Sequence, residues 1–223
     1  MGDEQPDRQP SVDEGAGRIL RLFRFRPVRL AFDTIVRDVM IPDLLARDGL
    51  EAVIVGRRGP GELGDRLIAS VWRDQAAMVD AVGASFDRPV FHPEFMDETT
   101  DKVLETAPIA FACRSGDPAD PQLVRLVTGR IRPGAGSAYL AEARAGTLAD
   151  IEAGRGPSSL YLADLGDDRF ATVSLWSDWS NVGEATGGTL RRPEVTRHST
   201  LLVEWQVDHY EVLPGLPIPG RPS

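Results

Sequence analysis

The chain has 223 residues, enough for one large core or two small ones. Its 42% hydrophobic and 26% charged content is that of an ordinary globular protein, and apolar runs such as Leu50 to Val55 are far shorter than the roughly 18 residues a membrane span requires. A net charge of -9, from 34 acidic and 25 basic side chains, disfavours general attraction to nucleic acid or to an anionic lipid surface.

The opening stretch, residues 1–17, is acidic and polar and has neither the basic start nor the apolar run of a secretory signal. It predicts a disordered leader and a cytoplasmic protein. Ile19 to Arg26 is rich in branched and aromatic residues and stops at Pro27, as a strand does. Leu30, Ile35, Val39, Leu44 and Leu45 follow near-helical spacing, with Pro42 expected to kink that helix and Gly49 to end it. Two strand-like runs flank "GRRGPGELGD". Gly59 to Gly64 reads G-x-G-x-x-G, but a dinucleotide site needs a strand before it and a helix after it, so the stretch is expected to be a hairpin loop. Asp74 is placed to cap a second helix, and Thr106 to Cys113 forms a last strand. Residues 114–122 have linker composition, and the Pro-rich tail from 214 to 223 is expected to be irregular. Cys113 is the sole cysteine, which excludes an internal disulfide and a thiolate zinc cage.

The second half repeats the first. "ASVWRD" at Ala69 to Asp74 returns as "VSLWSD" at Val173 to Asp178, an offset of 104, shared by Arg88-Pro89 and Arg192-Pro193. "FRFRP" from Phe23 returns as "GRIRP" from Gly129 at 106, and Gly49 matches Gly156 at 107. The first hairpin loop is therefore three residues longer. Residues 18–113 and 123–213 each read β-α-β-β-α-β, giving an α+β chain of two tandem ferredoxin-like units.

The succession "IPDLLARDGLEAVIV", Trp-x-Asp after the third strand and a last strand like "VDHYEVL" resembles the dimeric α/β-barrel superfamily, in its antibiotic biosynthesis monooxygenase-like branch. The resemblance implies two units packed sheet to sheet as an α/β barrel, here within one chain. A monomer that is an intramolecular pseudo-dimer is expected, with a homodimer still possible. It also implies that Trp72 and Trp176 border cavities between sheet and helices, where a small aromatic substrate or a haem would lie.

Each candidate residue has a plainer reading. Trp72 and Trp176 share strand faces with Ser70 and Ser174, and are either pocket walls or large packing residues. Asp74 and Asp178 read as helix caps rather than acids. Arg24 and Arg130, with Arg26 and Arg132, could clamp an anion, yet all bases but Lys102 are arginine, so solvated strand ends account for them equally. His92 and His198 follow the two tryptophans at similar distances and are candidate polar catalytic partners at the pocket mouths. His209 shares a face with Val203, Trp205 and Val207 and is a pocket residue, as proton carrier or haem ligand, or a core histidine.

Haem-degrading relatives place an Asn on strand one and a His about ten residues after the Trp, where this chain has Val82 and Thr186. Haem is thus a secondary alternative, and no cofactor or metal is expected: "HPE" at His92 to Glu94 lacks the cysteines of a zinc deaminase. The expected function is a cofactor-independent monooxygenase of an aromatic or polyketide-like small molecule. The alternative is a non-catalytic barrel that binds a small ligand or has a structural or stress-related role.

Overall fold

Alternation along the strands sets the architecture, because each strand has an apolar set on both faces and both must be covered. The computed structural model describes residues 11–13, 15–28, 32–59, 63–83, 99–115, 121–186 and 199–213. The first unit contains β2 (Ile19–Pro27), short helices α1 (Phe32–Ile35) and α2 (Ile41–Leu45), β3 (Leu50–Arg58), β4 (Asp65–Trp72), α3 (Gln75–Val82) and β5 (Thr99–Arg114). The second contains β6 (Leu123–Ile131), α4 (Gly136–Glu152), β7 (Ser159–Gly166), β8 (Arg169–Trp176), α5 (Trp179–Thr186) and β9 (Leu202–Val212). A short β1 (Ser11–Asp13) precedes both.

All described pairings are antiparallel, in the order β5-β2-β4-β3 and then β9-β6-β8-β7. Two seams join the units: Gly56 pairs with Val212 and Arg57 with Glu211, while Ile109 to Arg114 pairs with Ser159 to Ala163. Those seams close eight strands into a barrel, as expected for the tandem ferredoxin-like arrangement. At the first seam Gly56 is required, since a Cβ there would sit 2.5 Å from Tyr210 Cβ.

The barrel interior is narrow and takes small residues between larger ones: Leu20, Leu22, Ala52, Ile54, Ala69, Val124, Leu126, Ala163, Ala171 and Val173 are all buried there. The opposite strand faces pack under helices. Phe23, Phe25, Val53 and Val55 meet Phe32, Val36 and Ile41, and Phe111, Val127, Leu160 and Leu162 meet Tyr139 of α4. Among the described residues no helix is long and apolar enough to cross a membrane.

Pro42 falls at the start of a helical segment rather than inside one. Val36–Met40 forms a π-helical turn between α1 and α2, with Ile41 N–H donating to the Val36 carbonyl, so the chain enters α2 with the proline near its start. Gly49 then turns the chain with φ +78, and Arg73 N–H donates to its carbonyl at 2.8 Å.

Three expectations are corrected. The leader is not irregular throughout, because Ser11–Asp13 pairs with Ala112 to Arg114 of β5. Arg114 ends β5 rather than opening the linker. The strand-one match at offset 106 is out of register: Ile19 pairs with Trp72 and Leu123 with Trp176, which is 104, the same offset as the Trp motif. The three-residue difference in the hairpins stands, since Val53 pairs with Ser70 but Leu160 with Ser174. His92, His198 and the two Arg-Pro pairs lie outside the described residues.

Candidate functional site

The corrected register lines up the two copies residue by residue on the helix-covered face of the sheet. In the first unit Arg21 pairs with Ser70 on one side and Thr106 on the other, and Ser70 pairs with Val53. In the second, Arg125 pairs with Ser174 and His209, and Ser174 with Leu160. Directly paired residues point to one side of a sheet, so each unit carries a row across its four strands. Only the second row has a histidine beside its arginine.

Each tryptophan anchors on its own serine. Trp72 Nε1 donates to Ser70 Oγ at 3.0 Å and Trp176 Nε1 to Ser174 Oγ at 2.9 Å, as two residues on one strand face can. The aspartates two positions later cap the following helices, Asp74 accepting from Ala77 N–H at 2.7 Å and Asp178 from Asn181 N–H at 2.9 Å.

What lies over the indole differs. Trp72 is 0% exposed and packs with Ile19, Met78 and Val82. At the Trp offset of 104, Met78 becomes Val182 and Val82 becomes Thr186. Less volume covers Trp176, and a cavity of about 130 Å³ opens between the sheet and α4 and α5. Arg125, Tyr139, Asp150, Thr172, Ser174 and Trp176 supply its polar and aromatic lining, with Val127, Leu160 and Leu162 as apolar wall.

The electrostatics centre on Arg125. Burial pushes its guanidinium down to about 10, which leaves it a cation at neutral pH. Its Nε is enclosed without a hydrogen-bond acceptor, and no carboxylate among the described residues pairs with it. Asp150, the acid in the cavity lining, is engaged by Arg155 at 3.3 Å. Burial raises the Tyr139 phenol well above its ordinary value, against the smaller pull of a hydrogen bond with Thr172 and the charge of Arg125. His209 is pushed down to about 4, first by burial and then by Arg125, with Asp208 acting the other way. Its ring meets Trp179 edge-on at 5.0 Å, and its Nε2 is enclosed without a partner.

Of the sequence candidates, Trp176 lines the cavity and His209 stands beside its arginine. Arg24 and Arg130 do not line it. Arg24 binds Glu105 at 2.9 Å from the strand face opposite Arg21, and Arg130 is exposed near Glu204. Arg125 and Tyr139 were missed. The available signal was an arginine between apolar residues in both first strands, "LRLF" and "VRLV", at the Trp offset. Burial raises the Cys113 thiol to about 12, so it is no nucleophile at neutral pH. Among the described residues no histidine lines the cavity where it could serve as an axial haem ligand. Among the described residues no cluster of His, Cys, Asp and Glu could hold a metal ion.

No protein-family model and no curated protein matches the sequence. Solved structures do match the fold. A candidate monooxygenase from Fusobacterium nucleatum aligns with a TM-score of 0.67 at 11% identity, over 92% of this chain and 94% of that one. An anthrone oxidase-like protein aligns at 0.59 and 14% identity, over 91% and 94%. A chlorite dismutase variant from Candidatus Nitrospira defluvii aligns at 0.54 and 9%, over 91% and 92%. The chain therefore shares the tandem ferredoxin-like α/β-barrel fold of these structures. Those structures bear different activities, so chemistry must be argued from the site.

Proposed function

We propose that the chain is a cofactor-independent monooxygenase of a small aromatic molecule, and that it works in the cavity of the second unit. One observation carries the reading: a half-buried cation, Arg125, faces a Trp-walled cavity with no carboxylate partner among the described residues. The monooxygenase and anthrone oxidase-like names among proteins of this fold agree with it.

In such a reaction the substrate supplies the electrons. Loss of a proton from a phenol OH or an activated CH yields a phenolate or enolate, whose negative charge Arg125 stabilises. His209 is held neutral beside Arg125 but does not line the cavity, and its low basicity suits it to positioning Arg125 rather than to taking that proton. The carbanion reduces oxygen, one oxygen atom ends in the new carbonyl and the other leaves as water. Trp176, fixed through Ser174, forms a flat wall for the ring. His92 and His198, outside the described residues, remain proposed polar catalytic partners.

Oxygen uptake by the full chain with hydroquinone, methylhydroquinone and 2,5-dihydroxybenzoate tests this. Uptake with at least one is expected, reduced tenfold or more in Trp176→Phe and Arg125→Met and unchanged in Trp72→Phe. No uptake with any of them, or an equal loss in Trp72→Phe, rejects the reading and leaves a ligand-binding barrel.

A further inference from the structure

Arg125 needs an anion that the described protein does not provide, and the cavity limits what that anion can be. Resting on the assignment of the second-unit cavity as the ligand site, we infer that it selects a single-ring aromatic carboxylate, with the carboxylate on Arg125 and the ring against Trp176.

The charge argument has two halves. The Arg125 Nε is enclosed without an acceptor, whereas its Nη atoms are not so enclosed, and from the cavity lining they can give a ligand carboxylate charge-assisted hydrogen bonds. Asp150 does not meet that need, because Arg155 engages it at 3.3 Å. A free phenol is neutral at pH 7, so it would have to lose a proton to satisfy Arg125, whereas a carboxylate arrives charged.

Size and shape set the rest. A cavity of about 150 Å³ lined by apolar side chains takes a benzene-sized guest. The cavity here is about 130 Å³, with Trp176, Tyr139, Leu160 and Leu162 around it. One ring fits, and a fused three-ring system does not. The first unit supplies the contrast: Arg21 occupies the matching strand position, but Met78 and Val82 fill the space beside Trp72. Beside Trp176 the smaller Val182 stands in place of Met78, and Thr186, in place of Val82, lines the cavity, so the arginine alone does not make the pocket.

Calorimetric titration of the full chain at pH 7 with benzoate, benzamide and anthracene-9-carboxylate is decisive. Benzoate is expected to bind at least tenfold more tightly than its neutral isostere benzamide, and anthracene-9-carboxylate at least tenfold more weakly than benzoate. Arg125→Met should erase the preference for benzoate over benzamide while the protein stays folded, since the change removes a half-buried charge. Equal binding of benzoate and benzamide, undiminished binding of the three-ring acid, or an unchanged preference in Arg125→Met overturns the inference. The two readings fail separately. Selective benzoate binding without oxygen uptake on any quinol keeps the carboxylate site and rejects the oxygenase, whereas Trp176-dependent uptake without charge preference does the reverse.

Discussion

Trp176 Nε1 donates to Ser174 Oγ at 2.9 Å, and Ser174 Oγ donates onward to the Arg125 carbonyl at 3.3 Å. Trp72 makes the same bond to Ser70, which explains why Ser and Trp recur together two residues apart. A buried indole N–H without an acceptor costs about 1–3 kcal/mol. Ser70→Ala should therefore lower the denaturant-unfolding free energy by that amount. Ser174→Ala should cost less, because Trp176 borders a cavity that water can enter. Equal costs for the two would contradict the difference between the pockets.

Filling the second cavity with the residues of the first should stabilise the chain. Val182→Met with Thr186→Val copies the packing of Met78 and Val82 over Trp72. Cavity filling of this kind commonly adds about 0.5–2 kcal/mol. Thermal unfolding should shift upward while benzoate binding is lost. A destabilised variant that still binds benzoate would show that these two positions do not shape the pocket.

His209 makes stability depend on pH with a definite sign. Its folded value of about 4 lies below the ordinary histidine range, so in mildly acidic solution the unfolded chain takes up a proton that the folded chain refuses. Stability should fall as pH drops from about 6.5 to about 4, with no contribution above that window. Discounted for the partial exposure of the ring, the loss is roughly 1–2 kcal/mol. His209→Gln should flatten this part of the profile. In Arg125→Met, NMR titration should find the His209 value raised, since one of the two causes that lower it is gone.

The first unit depends on a buried ion pair that holds α1 to β4. Arg66 is 1% exposed, and its Nε and Nη2 donate to Asp33 at 2.7 and 3.0 Å, while Nη1 donates to the Gly64 carbonyl at 2.6 Å. Asp33→Ala strands a buried cation and should cost about 3–5 kcal/mol. Adding Arg66→Met should recover most of that loss. A double-mutant cycle in which the second change gives no recovery would show that the charge is not the problem.

Much of the fold was legible in the chain itself. Period-two apolar runs, helical spacing and a repeated Ser-x-Trp-x-Asp are local patterns, and two copies of one pattern confirm each other. The serine's role was less legible, because the short bond from indole to hydroxyl depends on side-chain rotamers as well as on spacing. Arg125 was overlooked for two physical reasons. In a protein whose bases are nearly all arginine one more carries little information, and the match of "FRFRP" to "GRIRP" followed the prolines at the strand ends instead of the pairing register.

The sequence by itself determined a duplicated β-α-β-β-α-β unit with capped helices and a tryptophan at the end of each third strand, because those features are written at short range. Tertiary structure alone decided that, among the described residues, a cavity opens beside Trp176 while Trp72 is packed over. That outcome turns on how Met78 and Val82, or Val182 and Thr186, fill the space above an indole, and on a cross-strand pairing that sets His209 beside Arg125. Packing volume and nonlocal register arise only when distant segments meet, so no window along the chain contains them.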